Sequence, residues 1–379
     1  MLDAGGFVQA LSESGVEFFC GVPDSLLKHF CNALDSEVGG GRHIVAANEG
    51  SAIAIASGFH LASGTTPLVY LQNAGQGNTL NPLISLADPS VYSIPILIMV
   101  GWRGEPGLAD EPQHSKQGSV TEKLYHALDI PTFILPDNEE EAIETVQIAL
   151  KTASVEKRPV SLIVRSGTFD QYPNPVKDDS SNLPLREEAL RTILEHTNPN
   201  SLFLTTTGKT SREIFEIREE LSEPHSRDFL VIGSMGHCSQ IALGISISGS
   251  HREIVCIDGD GAALMHLGGL ASIGRHGKEN FRHFLINNGV HESVGGLQTT
   301  SPDCNFAGMA LACGYKWAAT VRNLKELREA INNSSIIEGP TMIEVVTTPG
   351  SRSDLGRPHI LPIDAKEEFM GEFGHAQST

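Results

Sequence analysis

The sequence has few basic residues, no long apolar segment and no closely spaced cysteine pair. Its 27 lysines and arginines stand against 46 aspartates and glutamates, which gives a formal net charge of −19. Such a charge disfavours non-specific binding to nucleic acid or to an anionic membrane. It does not exclude a small anionic substrate, because a few local arginines can bind one inside an acidic protein.

The longest apolar run, IPILIMV at 94–100, is far too short to cross a bilayer and contains a proline. The N-terminus lacks the basic and then apolar pattern of a secretory signal. These absences predict a cytoplasmic protein. The cysteines lack the spacing of zinc, iron–sulfur or disulfide frameworks, so we expect reduced, buried thiols. They are Cys20, Cys31, Cys238, Cys256, Cys304 and Cys313.

Length and composition predict two domains, because 379 residues exceed an ordinary single core. Segment 171–186 has the proline, serine and acidic content of a linker, which places the domains at 1–170 and 187–379. Short apolar strands alternate with helical segments on both sides, so the predicted fold is α/β, with two doubly wound parallel sheets. Strands are expected at 17–21, 43–47, 68–72, 94–100, 132–136, 160–165, 201–206, 229–233, 253–257, 283–287, 315–319 and 341–346.

An acidic residue lies where one of these strands meets a helix. Asp260 stands between Gly259 and Gly261, after the strand at 253–257 and before a helix expected to start at Ala262. Ligands of such sheets bind beyond the carboxyl ends of the strands, and a helix N-terminus offers N–H groups to a phosphate. The alternative is an ordinary turn, because aspartate and glycine are common between strand and helix.

A pair of asparagines at the end of the next strand favours a metal site over a turn. Neighbouring parallel strands would bring Asp260 and Asn288 to one edge of the sheet. A carboxylate, an amide oxygen and a backbone carbonyl suit Mg²⁺, which also keeps positions for phosphate oxygens. The sequence therefore predicts a magnesium and diphosphate site at this edge.

The segment TTTGKTS at 205–211 has the end of a P-loop without its beginning. A P-loop requires glycine five residues before the glycine of GK, and that position is Phe203. We expect the loop at Gly208 to offer N–H groups to the same diphosphate instead, because it follows the first strand of the second domain.

GDG at 259–261, followed after 25 residues by NN at 287–288, resembles the signature of thiamine-diphosphate-dependent enzymes. The resemblance implies that Asp260, Asn288 and the carbonyl of Val290 hold Mg²⁺ on the cofactor's diphosphate.

A second segment, GSMGH at 233–237, is similar to another phosphate-side loop of that family. This similarity implies cofactor contacts by Ser234, Met235 and Gly236, with Met235 supporting the bent shape of the cofactor.

Enzymes of this family need a glutamate in a second α/β domain to hydrogen-bond the aminopyrimidine ring. The resemblance implies that this acid is Glu49, which follows a predicted strand and passes a proton to the ring. A residue that merely favours the first turn of a helix is the alternative. The domain order implies a pyrimidine-type domain before a diphosphate-type domain. Half-sites in different subunits imply at least a homodimer.

Several segments resemble the phosphonopyruvate decarboxylases of this family. They imply loss of CO₂ from 3-phosphonopyruvate to give phosphonoacetaldehyde, a step of phosphonate biosynthesis. A sulfopyruvate or other 2-oxo-acid decarboxylase is an alternative, as is a non-catalytic thiamine-diphosphate-binding protein. The cysteine spacing counts against a 2-oxo-acid oxidoreductase. The segments lie at 21–28, 73–88, 101–118, 206–216, 286–296 and 350–358.

The same resemblance suggests residues around the substrate. Asp24 and His114 are similar to the polar pair near the reacting carbon of 2-oxo-acid decarboxylases. An anionic tail requires cations, and the arginine fork suits a phosphonate. For each arginine, pairing with a surface carboxylate is the alternative. The candidates for substrate contacts are Arg103, Lys116, His291, Arg352 and Arg357, with Glu292 beside His291.

Overall fold

The computed structural model describes residues 1–39, 41–173 and 182–374. These residues form two compact units. Unit 1 contains the described residues up to Pro173 together with His291–Thr299, and unit 2 contains the other described residues. The second domain expected from the sequence includes 291–299, which the structure groups with unit 1. Residues 174–181 of the expected linker lie outside the described part of the chain.

Unit 1 is built on a six-stranded sheet in the order β2-β1-β3-β4-β6-β5, and all of its strand pairs are parallel. Its strands are β1 (Phe19–Gly21), β2 (His43–Val45), β3 (Leu68–Gln72), β4 (Ile96–Gly101), β5 (Thr132–Ile134) and β6 (Pro159–Val164). Its helices are α1 (Ala4–Glu13), α2 (Lys28–Glu37), α3 (Glu49–Ser63), α4 (Gln76–Pro82), α5 (Pro112–Ala127) and α6 (Glu139–Glu156).

Helices cover both faces of this sheet, and two apolar clusters fill the layers between them. Leu297 belongs to one cluster and is 1% exposed, so the segment 291–299 completes the core of unit 1. The central strands are mainly apolar because both of their faces are buried, as β4 illustrates with six consecutive buried residues, whereas the edge strands β2 and β5 are partly exposed.

Unit 2 repeats the plan with a second parallel sheet, in the order β11-β12-β10-β9-β7-β8. Its strands are β7 (Leu202–Thr205), β8 (Asp228–Leu230), β9 (Ile254–Gly259), β10 (Phe281–Asn287), β11 (Trp317–Val321) and β12 (Thr341–Val346). Its helices are α7 (Arg186–His196), α8 (Lys209–Glu220), α9 (Cys238–Ile247), α10 (Asp260–Met265), α11 (Gly269–His276), α12 (Phe306–Ala312), α13 (Leu324–Ser335) and α14 (Pro362–Gly371).

The predicted α/β fold class is confirmed, and each of the twelve expected strands overlaps an observed one. The helix expected from Ala262 instead begins at Asp260 and is interrupted after Met265. Within the described residues, no helix combines the length and the apolar content needed to cross a membrane.

A buried ion pair joins α7 to α8 in unit 2. Arg186 donates to both carboxylate oxygens of Glu213, over 2.7 and 2.6 Å. The two side chains are 5% and 1% exposed, so water cannot replace either partner. Removing one member of such a pair leaves an uncompensated buried charge.

We expect Glu213→Ala to lower the free energy of unfolding of unit 2 by about 3–5 kcal/mol. Urea unfolding can be followed in a Trp102→Phe background, where Trp317 is the only remaining tryptophan and reports on unit 2. The exposed pair Lys325–Glu329 provides the control, and Glu329→Ala should change stability by less than about 0.5 kcal/mol. Equal effects of the two variants would contradict the assigned role of the buried pair.

Candidate active site

The diphosphate half of the candidate site lies at the carboxyl edge of the unit 2 sheet. Strands β9 and β10 are parallel neighbours, and Gly259 is aligned with Ile286. Asp260 therefore follows β9 at the same edge where Asn287 ends β10 and Asn288 follows it. The loop at Gly208 reaches this edge too, because β7 pairs with the other side of β9.

A serine from outside the signature connects the two strand ends. The hydroxyl of Ser301 lies 2.7 Å from Asp260 Oδ2 and 3.0 Å from Asn287 Oδ1. The amide nitrogen of Asn287 donates to Glu344 over 2.8 Å, and Thr320 donates to the other oxygen of Glu344 over 2.7 Å. Both the oxygen and the nitrogen of the Asn287 side-chain amide are therefore hydrogen-bonded within the protein, which fixes the end of β10.

The second asparagine lies in a turn that suits a metal ligand. Asn288 Oδ1 accepts the backbone N–H of Val290 over 3.2 Å, and Gly289 between them has φ of +71°. Asn288, the carbonyl of Val290 and Asp260, which is 3% exposed, would offer a cation only oxygen ligands, the type that Mg²⁺ prefers.

The two other predicted cofactor loops both contain backbone with positive φ. Gly208 has φ of +100° and immediately precedes α8. Gly236 has φ of +87°, and a Cβ there would lie 2.7 Å from the His266 ring and 2.9 Å from Met265 Cβ. This close contact fixes the loop against the end of α10. Ser234 is exposed and Met235 is half-buried in the same loop.

The pyrimidine half of the candidate site centres on Glu49 in unit 1. Glu49 is the first residue of α3, and Asn48 caps that helix by accepting the N–H of Ser51 over 2.8 Å. The Glu49 carboxylate is 4% exposed and accepts a hydrogen bond from Asn78 over 2.7 Å. Burial raises the pKa of Glu49, and the Asn78 bond offsets part of that rise. The raised pKa favours a protonated acid that can donate.

Gly75 packs directly against this acid. A Cβ at Gly75 would overlap the Glu49 carboxylate, whereas a Cβ at Gly77 would meet nothing within 4 Å. Gly75 has φ of −84°, a conformation open to any residue. The glycine is therefore needed for space and not for backbone freedom.

A second buried carboxylate, Asp24, follows β1 in the same unit. Gln72, at the end of β3, donates to Asp24 Oδ1 over 2.5 Å, and the N–H of Leu26 donates to Oδ2 over 3.2 Å. Burial raises the pKa of Asp24, while the Gln72 bond and the charge of Arg103 act against the rise. The side chain is 0% exposed, and a Cβ at Gly101 would overlap it.

Arg103 links the predicted residues that follow β4. It donates to Ser25 Oγ over 2.8 Å and forms an ion pair with Asp110. Its charge also acts on His114, whose pKa is lowered by burial and by Arg103. His114 is half-buried, and its Nδ1 has no hydrogen-bond partner among the described residues. The charge of Arg103 therefore lowers the pKa of both Asp24 and His114.

The other predicted substrate residues occupy different settings. Lys116 and Arg357 are exposed. His291 is buried, and burial lowers its pKa to about 4, so it is neutral near pH 7. Arg352 is exposed and forms ion pairs with three carboxylates, as the alternative interpretation of that arginine anticipated. Its partners are Glu187, Glu216 and Asp354.

Several residues of the candidate site were not singled out from the sequence. Asn78 and Gln72 bind the two buried acids, and Ser301 links Asp260 to Asn287. Asn78 lies inside the segment 73–88, which resembles the phosphonopyruvate decarboxylases, and that resemblance could have indicated Asn78 as a site residue. Ser301 lies 41 residues from Asp260 in sequence, and no local pattern indicates that contact.

Comparison with known proteins identifies the family. A family model described as the N-terminal binding domain of thiamine pyrophosphate enzymes matches residues 4–125. The corresponding C-terminal binding-domain model matches residues 207–345. The chain therefore belongs to the thiamine pyrophosphate enzymes, and the two half-sites lie within the matched regions.

Full-length relatives narrow the class. A phosphonopyruvate decarboxylase of Streptomyces hygroscopicus is 32% identical, over 97% of this chain and 93% of the relative. A phosphonopyruvate decarboxylase of Streptomyces viridochromogenes is 31% identical, over 97% and 94%. A sulfopyruvate decarboxylase of Methanosarcina acetivorans is 23% identical, over 96% and 95%. The chain is a decarboxylase, a carboxy-lyase that uses thiamine diphosphate, and the prediction of an enzyme is confirmed.

The contact between Gly75 and Glu49 gives a direct test of the pyrimidine half of the site. We expect Gly75→Ala to displace the Glu49 carboxylate and to lower kcat by about 100-fold, because small displacements of a catalytic group cost that much. The fold should persist, since the backbone at Gly75 accepts alanine. Steady-state decarboxylation and thermal unfolding measure the two effects.

Gly77→Ala is the matched control, because the same methyl group is added two residues away into open space. Its kcat and melting temperature should equal those of the unmodified protein. Full activity of Gly75→Ala would mean that Glu49 has room to shift without consequence for catalysis.

Proposed function

We propose that the chain is a Mg²⁺- and thiamine-diphosphate-dependent decarboxylase of 3-phosphonopyruvate, which it converts to phosphonoacetaldehyde and CO₂ in phosphonate biosynthesis. Two phosphonopyruvate decarboxylases that match nearly the whole chain support this substrate. The structural observation that carries the proposal is the position of the Arg103 guanidinium. This guanidinium donates to Ser25, the neighbour of buried Asp24 in the chain, and its charge lowers the pKa of Asp24; a doubly charged tail needs such a cation.

Asp260, Asn288 and the carbonyl of Val290 hold Mg²⁺ in this proposal. The diphosphate is bound by backbone N–H groups at the ends of three strands and at the start of α10, where the helix dipole favours an anion. The proposed contacts come from Gly208, Ser234, Met235, Gly236, Gly259, Gly261, Ala262 and Asn288.

Glu49 holds and moves the proton that prepares the cofactor. When bound, thiamine diphosphate supplies a nucleophilic carbon and an acceptor for the electrons left by CO₂. The buried carboxyl of Glu49, with its raised pKa, donates a hydrogen bond to a ring nitrogen and exchanges that proton during the cycle. Asn78 fixes the orientation of the carboxyl group while it does so.

Asp24 and His114 handle protons near the reacting carbon. The raised pKa of Asp24 gives it a protonated form that can deliver a proton where CO₂ has left. His114 is neutral because burial and the charge of Arg103 lower its pKa, so it can accept a hydrogen bond from the substrate. The charge of Arg103 favours neutral His114 but opposes protonation of Asp24, so burial is what raises the pKa of Asp24.

Arg103 is our first choice for the phosphonate tail, with Lys116, His291 and Arg357 as further contacts. A guanidinium can bind two phosphonate oxygens at once, and Arg103 is already oriented by Ser25 and Asp110. Arg352 is a weaker candidate for the phosphonate contact than the sequence suggested, because it already forms ion pairs with three carboxylates.

Sulfopyruvate is the second candidate substrate. A sulfopyruvate decarboxylase matches the chain over nearly its full length, although at lower identity. A sulfonate has one negative charge and a phosphonate has up to two, so a site with several cations favours the phosphonate.

We also propose a cytoplasmic homodimer or larger homo-oligomer, in which each active site combines half-sites from two subunits. Sulfopyruvate decarboxylases with separate alpha and beta subunits occur among the relatives, which supports assembly from two kinds of half-site. The partners are then a small anionic 2-oxo acid and further copies of this chain.

A substrate panel tests the proposed reaction. Purified protein with thiamine diphosphate and Mg²⁺ should release CO₂ from phosphonopyruvate with a higher kcat/KM than from sulfopyruvate or pyruvate, and EDTA should abolish turnover. Arg103→Met should lower kcat/KM for phosphonopyruvate by about 10- to 100-fold, because a charge-assisted contact contributes about 1.5–3 kcal/mol. Its effect on pyruvate should be small.

Two further variants separate binding from structure in that panel. Asp110→Asn removes the ion pair but keeps Arg103, and Arg352→Met removes an arginine already paired with carboxylates. Arg352→Met should not select against phosphonopyruvate, and Asp110→Asn, which removes one group that orients Arg103, should select against it less than Arg103→Met does. Equal losses of Arg103→Met on phosphonopyruvate and pyruvate would assign Arg103 a structural role instead.

The role of Glu49 can be tested without substrate. Glu49→Gln keeps the size and a hydrogen bond but cannot transfer the proton. We expect exchange of the C2 hydrogen of the bound cofactor for deuterium to slow by about 10²- to 10⁴-fold. Quenched-flow NMR measures this exchange, and calorimetry should find cofactor affinity nearly unchanged. Glu13→Gln, the same change on the exposed side of α1, is the control. Unchanged exchange in Glu49→Gln would assign proton transfer to another group.

A further inference from the structure

Four side chains of metal-binding type meet in the core of unit 2, and the proposed reaction uses none of them. Cys256 and Asp258 are two residues apart on β9 and therefore point to the same face of the sheet. His283 on β10 is the register partner of Cys256. Cys238 is the first residue of α9 and packs on this face.

Three of these residues, Cys256, Asp258 and His283, have ligand atoms close enough to share an ion, and Cys238 approaches the group through the sulfur of Cys256. The sulfur atoms of Cys238 and Cys256 are 3.9 Å apart, and Asp258 Oδ2 lies 4.0 Å from His283 Nε2. The ligand atoms of Cys256, Asp258 and His283 all lie within 4.8 Å of one another. Ligands of a tetrahedral zinc ion are roughly 3.3–3.8 Å apart, so small side-chain shifts would close the set around an ion.

Two polar atoms in the group are unsatisfied. Asp258 Oδ2 and His283 Nε2 have no hydrogen-bond partner among the described residues, and both side chains are 0% exposed. Buried polar atoms without partners are costly and uncommon in native proteins, and an ion is one explanation for them. A bound cation would satisfy both atoms at once.

The histidine is oriented as a metal ligand would be. His283 Nδ1 lies 3.1 Å from the hydroxyl of Tyr315, and in the Nδ1–H tautomer it donates to that hydroxyl and leaves the lone pair of Nε2 available to a metal. Metal-binding histidines commonly donate their other ring N–H in this way. Burial lowers the pKa of His283 to about 4, so the ring is in the neutral form that binds metals.

We propose that Cys238, Cys256, Asp258 and His283 form a structural zinc site. Two sulfur ligands and one imidazole favour zinc over the hard Mg²⁺ ion. With both thiols deprotonated, the ligands carry three negative charges, and the bound site has a net charge of −1. Structural sites with three cysteines and one histidine have the same charge.

Zinc binding at this place must release thiol protons. Burial raises the pKa of the Cys256 thiol, so the thiol is protonated in the metal-free chain, and affinity for zinc should increase with pH. The spacing of 18 residues between the two cysteines explains why the sequence showed no zinc motif. The ligands come together through strand pairing and not through a short loop.

The position of the site gives it a structural role in cofactor binding. Cys238 directly follows the loop that contains Ser234 and Gly236. Asp258 precedes Asp260 by two residues, and His283 lies on the strand that ends at Asn287. A zinc ion would therefore bind three elements together inside the core of unit 2. These elements carry the residues proposed to bind the diphosphate and magnesium. The zinc proposal does not depend on the identity of the substrate.

The test uses the full-length, tag-free protein with thiamine diphosphate and Mg²⁺, expressed with added ZnCl₂. Metal analysis after gel filtration should find about one zinc per chain. Replacement by Co²⁺ should produce the intense thiolate-to-cobalt absorption and the visible bands of a tetrahedral site. A chelator should lower the melting temperature of the cofactor-free protein as zinc is lost.

Matched variants assign the metal to these residues. Cys256→Ser should remove the cobalt absorption, whereas Cys313→Ser, a half-buried cysteine outside the group, should leave it unchanged. Tyr315→Phe keeps the ring but loses the hydroxyl, and should weaken zinc affinity by about 10- to 100-fold in competition with a chelating dye. If Cys256→Ser does not fold, the cobalt spectrum of the unmodified protein and the zinc affinity of Tyr315→Phe still test the proposed zinc site.

Three results would overturn the proposal. One is protein that stays free of zinc and gives no thiolate-to-cobalt absorption. Another is bound zinc whose affinity is unchanged in both Cys256→Ser and Tyr315→Phe, which would place the ion elsewhere. The third is a disulfide between Cys238 and Cys256, found by mass spectrometry in protein isolated under reducing conditions.

Discussion

The parallel pairing of β9 with β10 is the constraint on which the diphosphate half of the site depends. Parallel register brings the carboxyl ends of the two strands to one edge, so residues far apart in sequence become neighbours there. Asp260 and Asn287 then share one hydroxyl group, that of Ser301. A shift of either strand by one residue would turn these side chains to the opposite face. Strand β10 is buried along its whole length, so such a shift would disrupt close packing on both faces of the sheet.

Burial controls the electrostatics of the pyrimidine-type unit. Glu49 and Asp24 are carboxyl groups in a strongly acidic chain, yet removal from water favours their protonated forms. Amide donors from Asn78 and Gln72 keep each group oriented without adding charge. Glycines pack against both acids, where any larger side chain would displace the buried carboxyl groups. The acidity of each group is therefore set by packing as much as by charge.

The sequence predicted the architecture well because the buried parallel strands are mainly apolar and helices separate them. Motifs close in sequence, such as the one containing Asp260, were found because their spacing is fixed by a single strand and turn. Ser301 and Tyr315 were not found, since their contacts depend on tertiary packing between distant segments. Two of the three partners of Arg352 could not be predicted either, because Glu187 and Glu216 lie more than a hundred residues away in the chain.

Unit 1 is discontinuous in sequence, and this has a consequence for synthesis of the chain. Its core includes Leu297, which is translated after all of the first four strands of unit 2. During translation, the sheet of unit 1 can form while its core still lacks that residue. Completion of unit 1 must therefore wait until much of unit 2 has left the ribosome, at about 5–20 residues per second. The two units mature together on the ribosome, although each has its own sheet.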